Sequence, residues 1–191
     1  MRSEIFNIDT AILTSRTLIR RVREGDGAAF YDLVNDNTSY IEDHFPRLIE
    51  TIRDTNTAET FARQRLAKWL LQEEFTFTIW RNTEADLIGF VHFRNLDWST
   101  PSAEIAYFLD QHHAGRGIMT EVLTRMIQFA FRQLQLNRLA LRTLVDNYAS
   151  QRLARKVGFR REGDLRHAVR RVTGTLHDIM LFGLTREEYG A

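Results

Sequence analysis

The ten residues at 112–121, His-His-Ala-Gly-Arg-Gly-Ile-Met-Thr-Glu, lie between a strand-like run at 103–109 and an amphipathic helix expected at about 118–131. That order constrains the fold more than any other feature of the chain. A strand that ends in a glycine-rich turn and restarts as a helix must cross over before the next β-rich run, 138–144, and such a crossover favours parallel pairing. The turn also leaves the first N–H groups of the helix without intrahelical acceptors. They sit beside the positive end of the helix dipole, which suits a phosphate.

Two familiar phosphate loops do not fit. A Walker-type loop needs Lys-Ser/Thr after its last glycine, and Ile118-Met119 follows Gly117. A dinucleotide fingerprint needs Gly-x-Gly-x-x-Gly, and Thr120 stands at the third position. Two glycines alone also fit an ordinary tight turn.

The rest of the chain reads as an α/β domain. Strands are expected at 18–22, 75–81, 87–93, 103–109, 138–144, 160–169 and 175–184, the last two flanking a turn at Thr173-Gly174. The polar run 82–86 reads as a turn. Helices are expected at 28–34, 57–72, 118–131 and 147–157, the third with Ile118, Val122, Met126, Ile127 and Ala130 on one face and the last closed by Gly158. In the second helix Phe61, Leu66 and Leu70 form the apolar side. Residues 38–53 show no clear period, and Pro46 breaks any long helix there. The sum is a mixed central sheet of about seven strands flanked by helices, a single domain over 1–191.

Composition narrows the chemistry. The chain has no cysteine, which removes disulfides, thiolate metal sites and a cysteine nucleophile. His112 and His113 are adjacent and make a poor metal pair, and no Gly-x-Ser-x-Gly elbow occurs, so neither a metal site nor a serine hydrolase is expected. A formal net charge of +1 gives no general pull toward nucleic acid or a membrane, and no apolar run reaches spanning length. The start Met1-Arg2-Ser3-Glu4 does not read as a signal peptide, and a cytoplasmic location is the expectation. Arg160, Arg161, Arg166, Arg170 and Arg171 are read as facing water, with contact to a phosphate or to RNA as the alternatives.

A second constellation follows the 138–144 strand. Asp146, Asn147 and Ser150 stand where a helix begins, and capping alone explains Asn147. It does not require Ser150, nor the continuation to Gly158-Phe159. Taken in order, Ala-Glu-Ile-Ala-Tyr-Phe-Leu-Asp at 103–110, Gly115-Arg116-Gly117, Asn147-x-x-Ser150 and Gly158-Phe159 resemble the GNAT superfamily of acetyl-CoA-dependent N-acetyltransferases. The finer resemblance is to its ribosomal-protein N-terminal acetyltransferase (RimJ/RimL-type) branch, which Arg161-Glu162-Gly163 and His177-Asp178 also fit. The likeness runs from Leu18 to Tyr189 and is strongest over 103–163. His112 stands where the superfamily loop usually opens on Gln or Arg. No carboxylate occurs at Ala168-Val169-Arg170, where some members place a base.

The resemblance implies a GNAT-like fold with an early acceptor-side region at about 24–74 and an acetyl-CoA-binding core at about 75–184. Acetyl-CoA is the implied co-substrate, with no metal. The implied reaction is direct attack by a primary amine in a ternary complex, on the N-terminal α-amine of a protein or on a small amine. The pyrophosphate would lie on His112, Ala114, Gly115, Arg116, Gly117, Ile118, Met119 and Thr120. Pantetheine would run along Tyr107, Phe108 and Leu109, with a backbone N–H near Tyr107 or Phe108 polarising the thioester and Asn147 holding an amide. Ser150 is the candidate acid for the leaving thiolate, with capping as its other role. Glu104 is the first candidate base and His92 the second, each weighed against an ordinary surface or packed residue. Glu42, Asp43 and His44 would meet the acceptor. A homodimer is common in that branch. A small-molecule acetyltransferase and a silent acyl-CoA-binding module stay open.

Overall fold

The computed structural model describes residues 8–83, 86–171 and 173–190. Glu84 and Ala85 of the expected 82–86 turn lie outside the described residues, as does the Met1–Glu4 start.

A short edge strand β1 (Ala11–Leu13) precedes β2 (Thr17–Arg21). Four helices follow: α1 (Gly27–Asp36), α2 (Thr38–Ile41), α3 (Pro46–Thr51) and α4 (Thr55–Leu70). The segment without a period thus folds as two short helices, and Pro46 takes the first turn of α3, where its missing N–H is harmless. Asp54 opens α4 with a capping box shared with Thr57. Leu70, expected on its apolar side, is exposed, and Ala58, Phe61, Ala62 and Trp69 are the residues buried.

Next come β3 (Phe75–Arg81), β4 (Leu87–Asp97) and β5 (Ser102–Leu109), a 3₁₀ turn (Gln111–His113), and α5 (Ile118–Arg132). The chain ends with β6 (Arg138–Leu144), α6 (Tyr148–Lys156), β7 (Arg160–Arg170), β8 (Leu176–Thr185) and α7 (Arg186–Tyr189). The sheet has eight strands in the order β1-β2-β3-β4-β5-β6-β8-β7, one more than expected, because the three-residue β1 pairs at the edge. Every neighbour is antiparallel except β5 and β6, the pair linked by the crossover through α5.

Each face of the sheet carries its own core. Phe77, Phe93, Ile105, Val122, Met126 and Leu139 pack under α5, with all five expected α5 residues buried. Val22, Phe30, Leu33, Phe61, Phe90 and Phe108 pack under α1 and α4 on the other face. Alternation along β5 therefore sends Ile105 and Tyr107 to the α5 side and Glu104, Ala106 and Phe108 to the α1–α4 side. At the β7 side, the Arg138–Glu162 ion pair crosses directly over Gly183, where a Cβ would fall 2.1 Å from the Glu162 carboxylate.

Candidate active site

Strands β5 and β6 pair over only three positions: Ser102 with Arg138, Ala103 with Leu139 and Glu104 with Ala140. Beyond Glu104 they part, while β6 stays paired with β8 along its whole length. The far half of β5 therefore has an open edge. The bond from Asp110 N–H to the Ile88 carbonyl sets the parity of the β4–β5 ladder. Phe108 opposite Phe90 and Ala106 opposite His92 then exchange bonds with β4, and the N–H groups of Tyr107 and Leu109 face the opening. The backbone donor at the gap is thus Tyr107 rather than Phe108.

The glycine loop sits at the end of this edge. Gly115 and Gly117 have φ of +74° and +77°, a left-handed backbone that other residues adopt with strain. Upstream, the 3₁₀ turn closes on itself. Asp110 Oδ1 accepts the His112 N–H at 2.7 Å, the Asp110 carbonyl accepts that of His113, and the Gln111 carbonyl accepts that of Ala114. His112 and Ala114 consequently have no N–H to offer an anion, in contrast to the expectation. Downstream, Glu121 N–H already bonds the Gly117 carbonyl. Among the described residues, the N–H groups of Gly115, Arg116, Gly117, Ile118, Met119 and Thr120 have no acceptor in the chain. Ile118 and Met119 bury their side chains in the core and present only backbone, and Arg116 is exposed.

A residue missed in the sequence, Arg16, braces this loop. Its Nη1 donates to the Arg116 carbonyl at 2.7 Å and its Nη2 stands 2.9 Å from Glu121 Oε2. Burial pushes the Glu121 carboxyl up, but hydrogen bonds from Thr14, Ser15 and Arg16 outweigh it and hold it at about 2.

Opposite the open edge, α6 begins. Asn147 is its N-cap, its Oδ1 accepting the Ser150 N–H at 3.0 Å. Ser150 Oγ meets the Tyr107 hydroxyl at 2.8 Å, so the two hydroxyls bridge the gap between β5 and α6. Burial drives the Tyr107 phenol up to about 12 against the opposing bond to Ser150. Tyr107 was expected to act through its backbone; the part played by its hydroxyl was not foreseen, because its contact with Ser150 depends on how the strands part.

Next to Asn147 an open cleft of about 370 Å³ is lined by Asp43, His44, Asp146, Asn147, Tyr148, Ala149 and Arg171. His44 Nε2 lies 3.5 Å from Asn147 Nδ2. Arg171 bonds Asp146 and stands 3.3 Å from Asp43, tying the α2–α3 turn to the start of α6. It is not the solvated arginine the sequence suggested. Glu42 is exposed and is not part of the cleft wall.

The two other candidate bases are occupied. Glu104 is buried; Arg94 Nη2 reaches its Oε1 at 2.5 Å and Asn95 Nδ2 its Oε2 at 3.1 Å. Asn95 has φ of +53°, at a bulge in β4 that aims its amide at this carboxylate. His92 Nε2 faces Glu74 Oε2 at 3.2 Å, and Glu74 also binds Arg65 and Lys68. Burial lowers the His92 pKa, and the Glu74 carboxyl, despite its own burial, is held at about 2 by hydrogen bonds from His92 and Lys68. Among the described residues no group of three or more His, Cys, Asp or Glu could hold a metal, and no helix is long and apolar enough to cross a membrane.

Parted parallel strands, with a helix start full of unclaimed amides at one end and paired hydroxyls at the other, suit an acyltransferase that takes a phosphate-bearing donor. Residues 16–160 match the acetyltransferase (GNAT) domain family, and the chain belongs to that family and is an N-acetyltransferase. YdaF of Bacillus subtilis (strain 168), whose name places it with the ribosomal N-acetyltransferases, is 31% identical over 178 residues, covering 80% of this chain and 97% of YdaF. The ribosomal-protein-serine acetyltransferase of Escherichia coli (strain K12) is 28% identical over 156 residues, covering 78% of this chain and 82% of that protein. Among solved structures, Mycobacterium smegmatis RimJ in complex with CoA-disulfide superposes with a TM-score of 0.85 at 22% identity, over 96% of this chain and 90% of that one.

Proposed function

We propose that this protein transfers the acetyl group of acetyl-CoA to the α-amine at the N-terminus of a protein, a ribosomal protein being the favoured class, by direct attack in a ternary complex. The observation that carries the reading is the run of six unclaimed N–H groups, residues 115–120, at the end of the open β5 edge. Those amides and the α5 dipole would hold the pyrophosphate. Pantetheine would lie along Tyr107 and Leu109, bonded to the backbone groups that β6 leaves unpaired, with Asn147 on an amide of the arm. The Tyr107 N–H would polarise the thioester carbonyl.

The amine attacks that carbonyl and gives up a proton to a base or solvent, the C–S bond breaks, and the leaving thiolate takes a proton from Ser150 Oγ, which regains one through the Tyr107 hydroxyl at 2.8 Å, itself refilled from solvent. Holding donor and acceptor together supplies much of the rate, up to about 7–11 kcal/mol of barrier for well-aligned reactants. The CoA bound in the RimJ neighbour and the ribosomal-protein-serine name of the E. coli relative support donor and acceptor class. The test is release of free thiol from acetyl-CoA with peptides bearing N-terminal Ser or Ala, set beside spermine, free amino acids and an aminoglycoside. Faster turnover of a peptide is expected. A clear preference for a small amine would replace the acceptor assignment, and acetyl-CoA binding without turnover of any amine would point to the silent module.

A further inference from the structure

An attacking amine must lose a proton, and the expected carboxylate is not free to take it. Glu104 is neutralised by Arg94 and Asn95, and the 168–170 stretch carries none. His92 is engaged by Glu74. The cleft beside Asn147 holds three further proton acceptors, of which Asp43 and Asp146 are tied to Arg171, leaving His44.

Its orientation follows from a chain of hydrogen bonds. Asn147 Oδ1 accepts the Ser150 N–H, so the amide nitrogen Nδ2 is the atom turned toward His44. An amide N–H only donates, so Nε2 presents its lone pair there and the ring proton sits on Nδ1. The group that orients the base is thus the residue that caps the helix carrying Ser150.

We propose that His44 Nε2 is the proton acceptor for the incoming amine, a role that rests on the acetyl-transfer reading above. The incoming ammonium displaces Asn147 Nδ2 from the Nε2 lone pair, a contact of 3.5 Å. Its proton passes to Nε2, the freed nitrogen forms its bond to the acetyl carbon, the C–S bond breaks, and the thiolate is protonated from Ser150, which solvent then reprotonates. The imidazolium then returns its proton to solvent through the open cleft. Partial desolvation by the cleft walls lowers the His44 pKa from 6.5, Asp43 and Asp146 raise it, and Arg171 lowers it. Arg171 engages both carboxylates and blunts their effect. An ordinary imidazole, at about 6.5, is closer in pKa to an α-amine, at about 7.7–8.0, than to a lysine amine at about 10.4. The base therefore favours protein N-termini over lysine side chains and polyamines.

The experiment compares wild type, His44→Gln, His44→Ala and Arg171→Gln in kcat/KM against pH with an N-terminal Ser peptide, with acetyl-CoA affinity by calorimetry. His44→Gln is expected to lose roughly 10²–10³-fold in kcat/KM at neutral pH, to lose the acidic limb, and to keep its acetyl-CoA affinity within about twofold. Added imidazole is expected to restore part of the His44→Ala rate. In Arg171→Gln the unopposed carboxylates raise the His44 pKa, so the acidic limb moves to higher pH. A wild-type rate and pH profile in His44→Gln overturns the assignment while leaving acetyl transfer intact. Lost acetyl-CoA affinity in His44→Gln overturns it as well, because His44 would then serve the donor. If only a small amine turns over, the N-terminal reading fails, and the same comparison on that amine decides His44.

Discussion

Tyr107 Oη and Ser150 Oγ, 43 residues apart in the chain, meet at 2.8 Å across the opening between β5 and α6. With its pKa pushed up to about 12, the phenol stays protonated in any ordinary assay; either hydroxyl can donate in this bond, and with Tyr107 as donor the serine hydroxyl is left to donate onward. Ser150→Ala should lower kcat by about 10–100-fold, near the low end for acid–base groups. Tyr107→Phe should lower it less. The double variant should be no slower than Ser150→Ala, because the two act as one relay. Steady-state kinetics on the three variants checks this, and independent, multiplying losses would break the relay.

Gly117 tests the loop. Its φ of +77° penalises any side chain by about 1–2 kcal/mol. The space over its Cα is open apart from Arg16 Nη2, 3.7 Å from where a Cβ would stand. Gly117→Trp should abolish acetyl-CoA binding in a protein that still folds, because the indole covers the unclaimed amides. Calorimetry with a parallel melting curve separates the two effects; unchanged affinity would sink the phosphate assignment.

Glu121 tests the brace between the β1–β2 turn and α5. Its carboxyl titrates at about 2 in the folded protein against 4.5 otherwise. A depressed folded-state value means the stabilisation is fully present above 4.5 and is lost as pH falls through about 2. After discounting for exposure we expect Glu121→Gln to lose about 1 kcal/mol, which is roughly 2–4 °C in Tm for a domain of this size. Thermal melts across that window should show the gap to wild type closing on the acid side. A gap independent of pH would mean the brace acts by packing alone.

Glu104 should matter to stability and not to chemistry. Glu104→Gln leaves Arg94 without its anion and should cost about 1–3 kcal/mol, seen as a lower Tm. The shape of the pH–rate profile should not change. Loss of a limb in that profile would return Glu104 to the role of base.

The core of this fold is written locally, and the site is not. The 103–144 unit was readable because a two-residue alternation, a glycine turn and a 3.6-residue period follow one another, and each depends only on near neighbours. β1 was not readable: three residues become a strand only because Thr17–Arg21 lies alongside. Nor could α2 and α3, too short to show a period, be told from loop. The insertion of β8 between β6 and β7 is decided by which hairpin edge meets β6, which no local pattern encodes.

The same division runs through the site residues. Glu104 stood out as a carboxylate on β5, but its partners depend on the left-handed turn at Asn95 one strand away. The glycine loop stood out, yet only coordinates show that Asp110 has already claimed the His112 amide. His44 and Asn147, 103 positions apart, have no signal in sequence that links them.

The three-position pairing of β5 with β6 has a mechanical consequence. The sheet is two half-sheets stitched by a short seam, and the rungs missing above the stitch are those a pantetheine arm would provide. A donor bound there is a structural strut as well as a reagent. Tm should climb with acetyl-CoA concentration by simple linkage, and amide exchange at Tyr107 and Leu109 should slow while the buried ladders of β3 and β4 stay as they were. Loss of the acetyl group would leave the strut in place, so the enzyme should be stiffer with CoA than with nothing, and opening of the seam would then set how fast the product leaves.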